Sequence, residues 1–244
     1  MDVALTGGQP GRPFLTAEWR DLAIVNFEVD PEMLERFVPN GTELSLWRGR
    51  CFVSLVAFRF LNTRLLGVPV PFHRDFEEMN LRFYVSRTVG GELRRGVVFV
   101  KEIVPKRAVT LVARAVYNEN YHTLPMRHEV GSGFARYEWR LGGQWGNLSV
   151  QATGPAEIPD IDSNTSFVAE HHWGYVIQRD GATVEYRVDR PRWRVAPASI
   201  VSWKLDARSM YGDVFAGYLE SVPASVFLAE GSAVSVGRSR RLVS

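Results

Sequence analysis

Three lysines, Lys101, Lys106 and Lys204, stand among 29 basic residues, and every other cation is arginine. The difference is chemical: an ammonium can shed its proton inside a protein and become a nucleophilic amine, whereas guanidinium stays charged. An arginine-rich genome would leave the same scarcity without any function. Lys106 has the most suggestive setting, in Pro105-Lys106-Arg107 at the head of a segment with helical spacing. The positive end of a helix dipole, the adjacent Arg107 and the apolar Ile103, Val104 and Val109 all favour the neutral amine. Such an amine adds to a ketone or aldehyde and forms an imine that acts as an electron sink. The plain alternative is a solvated lysine in a first helical turn. Imine chemistry also needs a proton shuttle and, for a keto acid, a cation to hold the carboxylate. Glu78 is the acid/base candidate, because Asn80, Arg82 and Tyr84 share its side of an alternating strand and can hydrogen-bond a polar ligand. If that side faces water, it is an ordinary strand surface. Arg20 could hold a carboxylate bidentately or simply pair with the adjacent Asp21. Trp173 and Tyr175 share a strand face and either line a pocket wall or fill the core.

The elements that must position these residues are mostly strands. Residues 22–27 read as the first strand, and Asp30-Pro31-Glu32 then supplies a cap, an N-terminal proline and an early acid for a short helix that Pro39 and Gly41 stop. Residues 44–47 and 51–60 read as strands joined at Gly49. In 79–85, Met79, Leu81, Phe83 and Val85 take one face and the polar set takes the other. Gly90-Gly91 leads to 97–100, an apolar run suited to a strand covered on both sides. From Pro105 the period changes, with Ala108, Leu111, Val112, Ala115 and Val116 at helical spacing, so Lys106 lies near a helix N-terminus. The remainder reads as a meander in which 173–178 and 183–188 flank the hairpin dipeptide Asp180-Gly181. A short helix at 214–219 and strands at 225–228 and 233–236 follow. Many strands and few helices predict an α+β fold, mainly antiparallel, whose sheet curls or closes.

Composition narrows the class. With 244 residues, 45% hydrophobic and 23% charged, the chain has the makeup of a globular protein, read here as a loose segment 1–13, one domain over 14–237 and a basic tail over 238–244. A formal net charge of +2, with mixed signs, gives no footprint for nucleic acid. The one cysteine, Cys51, forbids an internal disulfide and fits a reducing compartment. No leader pattern and no membrane-length apolar run appear, so a cytoplasmic location is expected. His73, His122, His128, His171 and His172 form no metal-binding spacing, and neither a metal nor another cofactor is expected.

Arg20-Asp21-Leu22, Pro31-Glu32-Met33-Leu34 with Val38-Pro39, Phe76-Glu77-Glu78, Lys101-Glu102-Ile103 and Pro105-Lys106-Arg107 together resemble the acetoacetate decarboxylase-like superfamily. Residues 76–85, 117–128, 170–175 and 227–232 look similar to its uncharacterised YqjF-like branch. The resemblance implies a cone-like, closed or partly closed β-barrel with an internal pocket. It also implies Lys106 as the imine lysine, Glu78 as the proton-handling carboxylate and Arg20 as the substrate-side arginine. Arg107 replaces the family's second lysine, and the interval from Glu78 to Lys106 is shorter than in the decarboxylase. The expected function is a small-molecule pocket with a Schiff-base lyase acting on a keto acid or related carbonyl compound; the alternative is a non-catalytic ligand-binding barrel. Asn80, Arg82, Tyr84 and Trp173 are the expected ligand contacts. A small molecule is the expected partner, without nucleic acid or membrane, and self-association into a homo-oligomer is compatible with the sequence.

Overall fold

The computed structural model describes residues 13–116 and 118–242, so residues 1–12 of the segment read as loose lie outside the described residues. In chain order the strands are β1 (Leu15–Val29), β2 (Glu43–Leu44), β3 (Cys51–Leu65), β4 (Val68–Pro69), β5 (Phe76–Val89) and β6 (Glu92–Val104). After helix α1 (Arg107–Val116) come β7 (Tyr121–Thr123), β8 (Met126–Gly131), β9 (Phe134–Leu141) and β10 (Gln144–Ala152). Helix α2 (Asn164–Ala169) precedes β11 (Trp173–Ile177), β12 (Thr183–Asp189) and β13 (Val195–Lys204). Helices α3 (Ala207–Tyr211) and α4 (Asp213–Leu219), then β14 (Ser225–Val236) and β15 (Arg240–Arg241), complete the chain.

The sheet runs β12-β11-β6-β5-β3-β1-β14, and a β12–β14 pairing closes this path into a ring. Nearly every junction is antiparallel; β11 meets β6 in parallel, as β7 does. From β14 the sheet continues outward through β13, β10, β9 and β8 as a four-stranded wing. Ring and wing enclose separate cores. Met79, Leu81, Phe83 and Val85 pack with Tyr137, Trp139 and Leu148 of the wing and with Met210, Phe215 and Leu219 of α3 and α4. Leu22, Ile24, Phe52, Val56, Phe58 and Tyr84 pack inside the ring. Both faces of β1, β3 and β5 are therefore buried, which is why these strands carry few exposed positions.

Several local readings change. The short helix expected after Asp30 is two 3-10 turns, Pro31–Met33 and Glu35–Phe37; Asp30 does cap, accepting from the Glu32 N–H at 3.0 Å, but Pro39 leaves no room for a longer helix. The two closing strands are one, bent at Gly231, whose φ of +76° suits glycine. Helices α2 and α3 were not anticipated; Ser163 caps the first and Asp206 the second. The β11–β12 hairpin forms around Asp180-Gly181 as expected. The basic tail adds β15 beside β12, where Arg241 pairs with Asp180 at 2.7 Å.

Candidate active site

The ring encloses a cavity of about 180 Å³. One side is an aromatic wall: Trp19 meets Phe58, Phe60 and Trp193 edge-on at 5.6, 5.8 and 6.2 Å, and Phe60 stacks on Phe76 at 4.7 Å. The other side is polar. Strand β5 alternates, so the residues between its wing-facing apolar positions, Glu78, Asn80 and Arg82, all line the cavity.

Strand β6 reaches the same place through a bulge. Leu81 pairs with Lys101 but Arg82 pairs with Phe99, leaving Val100 as the extra residue. Strict alternation from Val97 and Phe99 would turn Lys101 inward; the bulge turns Glu102 inward instead, opposite Asn80. Lys101 consequently lies on the outer side, donating to the Met210 carbonyl with its ammonium 5.8 Å from the Tyr211 ring. Glu119 and Tyr121 arrive on the segment that enters β7, and Tyr186 on β12.

Three buried carboxyl groups thus surround two phenols. Asn80 donates to Glu78 Oε1 at 3.0 Å, Tyr121 donates to Glu78 Oε2 at 3.0 Å, and Tyr186 donates to Glu119 Oε1 at 2.5 Å. Burial pushes Glu78 up to about 7 against the opposing pull of these hydrogen bonds and of the Arg82 charge. Burial, aided by the nearby Glu78, likewise pushes Glu119 up to about 7. Glu102 is pushed well above the usual carboxylate range by burial and by both neighbouring acids. All three carboxyls are thus shifted toward exchanging their protons closer to neutrality, which is the equipment of a general acid/base. Among the described residues no group of three His, Cys, Asp or Glu side chains is arranged to hold a metal ion.

Two arginines, Arg82 and Arg190, line the same cavity. Arg82 donates to the Val168 carbonyl at 3.2 Å, and the buried Arg190 side chain lies 3.7 Å over the Trp193 ring. His171 is buried against Tyr84, ring centroids 4.6 Å apart, and burial together with Arg82 and Arg190 pushes it well below the usual imidazole range. It is neutral at physiological pH.

Of the residues expected from the sequence, Glu78, Asn80, Arg82 and Trp173 line the cavity. Tyr84 stands one layer behind, its hydroxyl 2.5 Å from Ser54 Oγ and its ring under His171. Lys106 and Arg20 are not among the residues that line the cavity. Lys106 precedes α1, its carbonyl accepting from the Thr110 N–H at 3.2 Å, on the side of Glu77. Burial would raise Glu77, yet its 2.6 Å hydrogen bond with His128 and the charges of His128 and Lys106 hold it below the usual range. Glu77 and Glu78 are strand neighbours, so they face opposite ways. On β1, Trp19 takes the inward phase, and Arg20 pairs with Glu18 at 2.7 Å. Glu102, Glu119, Tyr121, Tyr186 and His171 escaped the sequence reading as site residues. The alternation of Glu119 with Tyr121 was the one local signal for two of them.

The match to a family model runs over residues 16–233, and that family is DUF2071, described as an uncharacterized conserved protein (COG2071). The uncharacterized protein YqjF of Bacillus subtilis (strain 168) is 32% identical over 112 residues, 46% of this chain and 45% of that protein, so the match spans less than half the length of this curated relative. Solved structures with the same fold include acetoacetate decarboxylase from Legionella pneumophila, with a TM-score of 0.66 and 13% identity over 100% of this chain and 92% of that one. The enduracididine biosynthesis enzyme MppR complexed with pyruvate superposes with a TM-score of 0.63 and 14% identity, covering 95% of this chain and 91% of that one. An acetoacetate decarboxylase-like enzyme from Sphingomonas wittichii RW1 gives 0.61 and 14%, covering 94% and 92% respectively. With a family match over most of its sequence, and a ring-closed, mainly antiparallel sheet of the fold seen in acetoacetate decarboxylase, this chain belongs to the DUF2071 family.

Proposed function

We propose that the protein is a small-molecule enzyme in which Glu78 moves a proton to or from a carbonyl compound held in the cavity. The observation that carries this reading is the environment of one carboxyl: Glu78 lines an apolar chamber, is fixed by Asn80 and Tyr121, and is pushed up to about 7. A group that exchanges its proton near neutrality, in hydrogen-bond reach of a bound ligand, satisfies both requirements of general acid/base catalysis. Pyruvate in complex with MppR, a protein of this fold, supports a carbonyl acid as the first class to test. The test incubates the protein in D2O with a panel of 2-keto and 3-keto acids and follows α-proton exchange and loss of carbon dioxide by NMR. Exchange or turnover that falls on the order of 10²-fold in Glu78→Gln, with the fold intact, is the expected outcome. No exchange with any compound would leave the alternative, a ligand-binding barrel without catalysis.

A second reading keeps Lys106 as an imine nucleophile, with Glu78 as its acid/base and Arg20 toward the substrate carboxylate. Ala108 and Val109, close behind Lys106 on α1, reach the lining and support it. Borohydride trapping with the same panel, read by peptide mass spectrometry, separates the two: an adduct on Lys106 selects the Schiff-base lyase, and turnover without an adduct selects direct proton transfer.

A further inference from the structure

Buried polar atoms without partners lie in both parts of the cavity's polar end, Asn80 Oδ1 and Glu102 Oε2 among the acids and three nitrogens of Arg82 and His171 beside them. Arg82 is 8% exposed, and of its three guanidinium nitrogens Nη2 meets the Val168 carbonyl while Nε has no partner. Among the described residues no carboxylate lies within ion-pair distance of it. His171 is 7% exposed, and neither ring nitrogen has a hydrogen-bond partner. The two side chains converge on one ring: the Arg82 guanidinium carbon lies 5.8 Å from the Tyr84 centroid, and His171 lies 4.6 Å from it. Both line the cavity. A buried cation without a counter-ion and an imidazole without a partner each cost free energy, typically a few kcal/mol for a group left unpaired. One anion between them removes both costs.

We infer that Arg82 and His171 form a subsite for the carboxylate of a small amphiphilic monocarboxylic acid, whose apolar body lies against the aromatic wall of Trp19, Phe58 and Trp193. A carboxylate has two oxygens, one for the guanidinium and one for an imidazole N–H. A phosphate would bring more charge and more acceptors than these donors can serve. Arg190, also in the lining, adds charge rather than a free donor, because it is engaged with the carbonyls of Ala169 and Pro191, with Glu170 at 3.9 Å and with the Trp193 ring. Protonated acids do not repel such a ligand, and the facing carboxyls of Glu78, Glu102 and Glu119 are all shifted toward their protonated forms. The volume matches a body of roughly benzene size, since dry engineered cavities of about 150 Å³ hold benzene. This inference deepens the small-molecule reading of the same cavity and rests on it.

The experiment is calorimetric titration of the full chain with hexanoate, hexanamide and hexylamine. Hexanoate is expected to bind about tenfold or more tightly than hexanamide, a preference of about 1.4 kcal/mol. Arg82→Gln and His171→Phe are each expected to abolish that preference while leaving hexanamide within about twofold. Glu78→Gln is expected to retain it. Equal or tighter binding of hexanamide or hexylamine, no hexanoate binding, or an undiminished preference in both variants would overturn the subsite. Should Arg82→Gln fail to fold, the wild-type ligand comparison and His171→Phe decide alone. A carboxylate preference without keto acid turnover sinks the catalytic reading and spares the subsite; turnover without the preference does the reverse.

Discussion

At the scale of residues, the polar end of the cavity is a set of groups held away from their usual ionisation. Glu78 and Glu119 are both raised from 4.5 to about 7, so the folded chain holds more protons than the unfolded one between those values. The sign follows by linkage. Their contribution to stability is complete below the ordinary carboxylate value and is lost as pH rises through about 7. Melting temperature should therefore fall between pH 5 and pH 8, and Glu119→Gln should flatten the slope in scanning calorimetry; an unchanged slope would show that the carboxyl is not held protonated. The Tyr186 hydroxyl donates to Glu119 at 2.5 Å, and the amide oxygen of Gln can still accept from it, so the variant should fold. Glu78, Asn80 and Arg82 were legible in the sequence because one regular strand carries all three at period two. Glu102 was not, because a bulge resets the phase of β6 just before it, and period-two reasoning turns Lys101 inward. His171 was hidden for another reason: its buried neighbours Tyr84 and Arg82 lie far away in sequence.

At the scale of elements, close backbone approaches decide where substitution is tolerated. Gly231 combines a φ of +76° with a position where a Cβ would overlap the Trp19 carbonyl oxygen. Gly231→Ala should cost about 3 kcal/mol or more, measured by urea denaturation, because strained backbone and a rigid clash add. A loss under 0.5 kcal/mol would mean that β1 and β14 can separate there at little cost, about what an ordinary surface change costs. In the hairpin, Gly174 lies opposite Tyr186, and a Cβ on it would meet the phenol ring. Gly174→Ala should displace Tyr186 from Glu119 and change the Glu119 titration seen by carboxyl NMR, with β11 and β12 still paired. Asp180-Gly181 announced this hairpin, and the alternation of β5 announced its strand. Residues 225–236 read as two strands because glycine signals a turn, whereas Gly231 serves a bend within one continuous strand. The run after Asp30 read as a helix because its caps are genuine, yet the segment is too short to go beyond 3-10 turns.

At the scale of the whole molecule, closure of the ring is uneven. Strands β12 and β14 meet through two residue pairs, whereas β1 and β3 meet through twelve. This seam should open first. In hydrogen exchange followed by mass spectrometry, peptides covering 184–190 and 234–240 are expected to take up deuterium before those covering 52–58; the reverse order would place the weak point elsewhere. No helix among the described residues is long and apolar enough to cross a membrane. The closed sheet was foreseeable from many strands and few helices, but the wing was not, since nothing in a local run of residues says which face a distant strand will cover. That wing has a wider consequence. Because β5 serves the chamber with one set of positions and the packing behind it with the other, the two duties are written in interleaved letters. Descent can redraft the ligand-facing letters and leave the architectural ones alone, which is how a scaffold shared at only 13% identity with a decarboxylase can persist while its reaction is free to diverge.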